Sequence, residues 1–81
     1  MTLYQIIEQN PDTDFLIADG FNDAIIGYET SSFRIIYSTK KCIEILCAEG
    51  MNEMDAKEHF AYNVEGSFVG EQTPIFCYDI L

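Results

Sequence analysis

The stretch AIIGYETSSFRIIY, residues 24–37, decides the fold. Residues 24–28 and 33–37 are short segments rich in isoleucine and aromatic side chains, and the four polar residues between them, 29–32, read as a hairpin loop. The spacing therefore predicts two antiparallel strands in the middle of the chain.

Upstream of the hairpin, Thr2 and Gln5 make a T-x-x-Q capping box. Leu3, Ile6 and Ile7 recur at helical spacing until Asn10-Pro11 breaks the pattern, which predicts a short helix over residues 3–9. Between helix and hairpin, the apolar run Phe15, Leu16, Ile17, Ala18 has no period that separates strand from helix, and residues 12–20 stay unassigned. Downstream, Ser38 caps a helix running to Glu49, with Gly50 as its left-handed stop. Cys42, Ile43, Ile45, Leu46 and Cys47 sweep an apolar arc on it, outside which lie Lys40, Lys41 and Glu44; Cys42, near the middle of the arc, is expected to be buried. Asn52 starts the next helix with Asp55 at the box position, and Ala56, Phe60, Val64 and Phe68 climb one face at spacing four, joined by Ala61. The opposite side carries Asp55, Glu58, Tyr62 and Glu65, with His59 on its flank. That acidic stripe around an aromatic ring is expected to face water or a partner.

The C-terminal run EGSFVGEQTPIFCYDIL reads as a helix exit followed by a strand. Gly66 allows close backbone approach late in the helix, and Gly70 supplies the positive φ that ends it. Pro74 opens a strand over residues 75–80 that is apolar on both faces apart from Asp79, a pattern expected to be covered on both sides, Cys77 included. The expected fold is α+β: a three-stranded, at least partly antiparallel sheet with two central helices packed on it and a short N-terminal helix, in the order α-β-β-α-α-β, with residues 1–81 forming a single domain.

Composition bounds the function. The 81 residues are 48% hydrophobic, enough for one small core, and the longest apolar runs are far below the roughly 20 residues needed to cross a bilayer. No membrane association is expected. The N-terminus lacks the basic start and apolar stretch of a secretion signal, which points to a cytoplasmic protein. Three cysteines cannot all pair within the chain and read as free thiols. A zinc site from Cys42, Cys47, Cys77 and His59 fits poorly, because Cys42 and Cys47 stand on different faces of one helix.

Fourteen acidic residues against four basic ones leave a formal net charge of −10. Residues 1–33 hold Glu8, Asp12, Asp14, Asp19, Asp23 and Glu29 and no base. Direct nucleic-acid binding needs clustered Lys and Arg, so this distribution argues against it and favours basic partners.

Catalytic motifs are missing from the sequence. Asp55 and His59 have the spacing of a surface ion pair rather than a dyad, and GSFVG, residues 66–70, has its serine misplaced for a nucleophile turn. GFNDAIIG, residues 20–27, lacks the spacing and the lysine of a phosphate loop, and the carboxylates of PDTDFLIAD, residues 11–19, do not continue into a calcium loop. The expectation is a protein that is not an enzyme and carries no cofactor or metal. Among its eleven aromatic rings, Tyr62 and Tyr78 are the two expected to be exposed.

The runs GFNDAIIGYE (residues 20–29), FRIIYSTKKCIEIL (33–46) and MDAKEHFAYNVEGSFVGEQTPIFCYD (54–79) together resemble a widespread family of small, mostly uncharacterised bacteriophage proteins. The match rests on residues 58–60, Asn63, Val64, Gly66, residues 69–71 and residues 73–76. The resemblance implies a fold and a viral origin, and it brings no catalytic residues with it. Joined to the charge, it implies a non-enzymatic inhibitor in the host cytoplasm. Such a protein would dock on a basic, normally nucleic-acid-binding surface of a host protein, a defence nuclease or CRISPR effector for example, with carboxylates standing in for phosphates. The residues expected to meet that partner are Asp12, Asp14, Asp19 and Asp23, and Asp55, Glu58, Tyr62 and Glu65 on the helix stripe. The alternative is a small phage regulatory or housekeeping domain, a homodimer in one version, whose acidity only keeps it in solution.

Overall fold

The computed structural model describes residues 2–67 and 70–79 of the chain. In order come α1 (Leu3–Gln9), a 3₁₀ turn (Asn22–Ala24), β1 (Ile25–Tyr28), β2 (Ile35–Ser38), α2 (Thr39–Ala48), α3 (Glu53–His59) continuing as a π-helical segment (Phe60–Glu65), and β3 (Ile75–Cys77). The strands form one mixed sheet with β2 in the middle: β1 pairs with it antiparallel, β3 parallel. This is the α+β fold in the order α-β-β-α-α-β that the hydrophobic pattern predicts.

Both strands of the hairpin start later than their composition suggests, the first by one residue and the second by two. Ala24 belongs to the 3₁₀ turn, and β2 runs from Ile35 to Ser38. Glu29 N–H donates to the Arg34 carbonyl and Phe33 N–H to the Glu29 carbonyl, both at 2.8 Å, so the loop is residues 30–33 and Phe33 is its last member. Phe33 sits at φ 56°, a left-handed conformation that a bulky residue adopts only when packing compensates. Here its ring stacks on Tyr28 at 6.2 Å and meets the Phe15 edge at 6.5 Å. A bulge at Ile26, between the pairs Ile25↔Tyr37 and Gly27↔Ile36, keeps Ile25 on the core side.

The caps form as the sequence predicts. Thr2 and Gln5 close a reciprocal capping box on α1, Ser38 Oγ accepts Lys41 N–H at the start of α2, and Asn52 Oδ1 accepts Asp55 N–H at the start of α3. At the end of α2, Gly50 N–H reaches the Cys47 carbonyl and Met51 N–H the Leu46 carbonyl, the paired bonds of a Schellman stop.

The third helix departs from expectation. After His59 it widens into π geometry, closed by Gly66 N–H donating to the Ala61 carbonyl at 3.1 Å, a five-residue step. A Cβ on residue 66 would stand 3.0 Å from that same oxygen, so glycine lets the chain fold back this tightly. Phe60 is buried and Val64 half-buried, but the wider turn carries Ala61, expected on the core face, out to solvent. Phe68, placed on that face by periodicity, lies outside the described residues. Gly70 does have positive φ, at +113°, yet it serves a turn beyond the helix, its carbonyl accepting from both the N–H and the hydroxyl of Thr73.

The last strand is also shorter than expected. β3 ends at Cys77, which is exposed rather than covered, because β3 is an edge strand paired only to β2. Asp79 then turns to accept the Ser38 hydroxyl. Residue 80, the end of the expected strand, lies outside the described residues.

The core centres on Tyr37, wholly buried, whose ring stacks on Phe76 at 5.5 Å while Phe76 meets Phe60 edge-on at 5.2 Å. Ile6, Ile25, Ile35, Cys42, Leu46 and Ala56 close around it.

Gly70 has open space where a Cβ would stand, so a side chain there meets only backbone strain. Gly70→Val is expected to lower stability by about 1–2 kcal/mol, and the exposed Glu71→Ala by less than about 0.5 kcal/mol. Denaturant midpoints at unchanged m-value measure both; equal small effects would show that the turn does not need its positive φ.

Candidate functional site

Residues 10–20, unassigned by periodicity, form an irregular strap held at several points. Asn10 Nδ2 donates to the Ile6 carbonyl at 3.0 Å, and the Phe15 ring packs edge-on to Tyr28 at 6.0 Å. Ala18 N–H donates to the buried Tyr37 hydroxyl at 2.7 Å. Between these anchors Leu16 and Ile17 stand 40% and 42% exposed. Four consecutive apolar residues do not encode which two are held and which two displayed, and this is why the sequence leaves the segment unassigned.

Asp12, Asp14 and Asp19 lie along this strap and Asp23 in the 3₁₀ turn after it; all four are exposed. Asp55 and Glu58 are exposed on α3, and Tyr62, 78% exposed, and Glu65 on the π segment. Asp55, Glu58 and Tyr62 keep helical spacing, but the π turn displaces Glu65 from the position one turn beyond Tyr62. The expected acidic residues therefore occupy two regions, the strap with its following turn and the third helix. Tyr78 is exposed as expected; Tyr4, 82% exposed, is an addition that the N-terminal pattern did not single out.

Few acids are neutralised internally. Lys57–Glu53, at 2.9 Å, is the one ion pair among the described residues. Arg34 uses its Nε on the Thr73 carbonyl. His59 meets Asn63 at 3.3 Å, in place of the pairing with Asp55 that the spacing allowed.

Two carboxylates are held by serine hydroxyls. The Glu29 carboxylate accepts the Ser31 and Ser32 hydroxyls and both their N–H groups, and these bonds, the Ser31 hydroxyl foremost, hold it down at about 2 from its ordinary 4.5. Asp79 is lowered by the Ser38 hydroxyl, with a smaller contribution from the charges of Lys41 and Lys40. Both are structural, one ordering the hairpin loop and the other tying the C-terminal segment to the start of α2.

Two hollows remain. One, about 370 Å³, lies between α2, α3 and Tyr78 and includes Lys40, Lys57 and Cys47, with Glu44 and Glu53 opposing the lysines. The other, about 300 Å³, lies between the strap and the π segment and is floored by Phe21, Pro74 and Phe76, with Leu16 and Ile17 on one side and Val64 on the other. Among the described residues no group of three or more His, Cys, Asp or Glu is placed to hold a metal, and no helix is long and apolar enough to cross a membrane. No family model, curated protein or solved structure matches the chain.

Burial pushes the Cys42 thiol up to about 12, far from its reactive form, whereas Cys77 is exposed on the edge strand. A thiol reagent is expected to modify Cys77 promptly and Cys42 only on unfolding, with the fast phase absent in Cys77→Ser; rapid modification of Cys42 in the folded protein would contradict the packing.

Glu29 also predicts a pH effect. Its folded pKa is depressed, so its contribution to stability is complete above about 4.5 and is lost as pH falls toward about 2. Glu29→Gln is expected to be less stable than the parent at neutral pH and to converge with it in acid. Parallel pH-stability curves for the two would remove Glu29 as an organiser of the loop.

Proposed function

We propose that this protein is a non-enzymatic, phage-encoded inhibitor acting in the host cytoplasm by binding a basic protein surface that otherwise engages nucleic acid. A CRISPR effector or another defence protein is the class of target that the phage resemblance suggests. The observation that carries the reading is the uncompensated negative field. The formal charge is −10, and Asp12, Asp14, Asp19 and Asp23 stand exposed within residues 1–33, which hold no base.

The fold supports it by spending little of this charge internally. Of the four bases, Lys57 is paired to Glu53 and Arg34 is bonded to a backbone carbonyl. Rows of exposed carboxylates repel one another and so weaken the folded state slightly, a cost that a cationic partner relieves. Exposed Tyr62 among Asp55, Glu58 and Glu65 gives the second acidic region an aromatic contact of the kind enriched in protein interfaces.

The test begins with tagged protein recovered from host cells and mass spectrometry of what accompanies it. Affinity for the recovered partner is then expected to fall roughly tenfold or more between about 0.05 and 0.5 M salt, since exposed charges are screened beyond about 10 Å at 0.1 M. Substituting Asn at Asp12, Asp14, Asp19 and Asp23 together, or Gln at Glu58 and Glu65, tells which region is used, and neither set should unfold the protein. Unchanged affinity for both sets at low salt defeats the mimicry reading and leaves acidity as a means of staying in solution.

A further inference from the structure

The apolar groove beside the strap is the feature that charge alone does not explain. The strap is fixed on the core side by Phe15 and by the Ala18 to Tyr37 hydrogen bond, so Leu16 and Ile17 are held outward without further ordering. Preorganised apolar side chains of this kind keep the entropic cost of binding low. The facing wall is the π segment, where Val64 and Asn63 line the groove, and π turns recur at functional sites because they open the helix surface. The volume of about 300 Å³ is at the lower end for a ligand pocket and suits one or two side chains better than a whole cofactor.

Its rim specifies the chemistry of the occupant. Asp19 lines the groove, and Asp12 and Asp14, exposed on the same strap, add negative charge to that side of the molecule, which carries no base. An apolar hollow beside an acidic, base-free strap is complementary to a bulky apolar side chain flanked by Lys or Arg.

We propose that this groove is the anchor point for the partner, taking a leucine- or phenylalanine-like side chain from a basic protein segment. The assignment rests on the basic-partner reading above and adds to it a defined place and an apolar requirement. Binding is then driven by burial at Ile17, Val64 and Phe76, while the aspartates select and orient the segment.

Three blocked hexapeptides test this on the full chain by amide chemical-shift titration: two lysines, leucine, phenylalanine and two lysines; the same with both apolar residues replaced by serine; and the same with all lysines replaced by glutamate. The first is expected to give saturable shifts at Leu16, Ile17, Asn63 and Val64, and the other two to bind roughly tenfold or more weakly. Ile17→Ser, an exposed position whose thermal midpoint should stay near that of the parent, is expected to weaken the first peptide comparably. If the serine peptide binds as well as the first, the groove assignment fails while the charge reading stands. If the glutamate peptide binds as well, the basic-partner reading fails and the groove is an apolar site only. Shifts away from these residues, or none, overturn the proposal outright.

Discussion

Tyr37 and Ser38, adjacent on the central strand, form the junction on which the rest of the molecule depends. Tyr37 pairs with Ile25 on one side and with Phe76 on the other, stacks on the Phe76 ring, and takes the Ala18 N–H on its buried hydroxyl. Ser38, also wholly buried, accepts Lys41 N–H to start α2 and donates to Asp79. Two consecutive residues thus join all three strands, the strap, the second helix and the C-terminal segment. A buried hydroxyl without a partner is costly, so each of these bonds both satisfies a polar group and fixes the register of a neighbouring element.

This junction also governs what the surface offers. By pinning Ala18, Tyr37 decides that Leu16 and Ile17 face outward beside the groove and that Asp19 lines it. The groove floor includes Phe76, which the same tyrosine stacks against. A change at position 37 would therefore disturb the proposed docking surface without touching it directly. The acidic field is different in kind: it comes from side chains already in water and survives small shifts of the backbone beneath them.

Two local departures from ideal geometry lie near this framework. Phe33 occupies a left-handed conformation because its ring completes a cluster with Tyr28 and Phe15, contacts that offset the backbone cost. The π segment after His59 closes on Gly66, where a larger residue would crowd the Ala61 carbonyl. Each gives up local regularity for a tertiary placement, the first holding the middle of the strap at Phe15 and the second shaping the facing wall of the groove.

The sequence by itself determined the elements whose signals are local. The capping residues Thr2, Ser38 and Asn52, the Gly50 stop, the two hairpin strands, the burial of Cys42 and the exposure of Tyr62 all follow from side-chain chemistry within a few residues of the position concerned. The acidic residues could be read as exposed for the same reason, since nothing nearby could neutralise them. Only the tertiary structure decided that Phe33 belongs to the loop, that Cys77 is open on an edge strand, that the third helix widens at Phe60, and that Leu16 and Ile17 are displayed while Phe15 and Ala18 are held. All but the helix widening, which closes locally on Gly66, depend on a partner far along the chain: Phe15 for Phe33, the single neighbour β2 for Cys77, Tyr37 for Ala18. Periodicity records how a segment relates to its own axis, and it carries no information about which distant group will meet it.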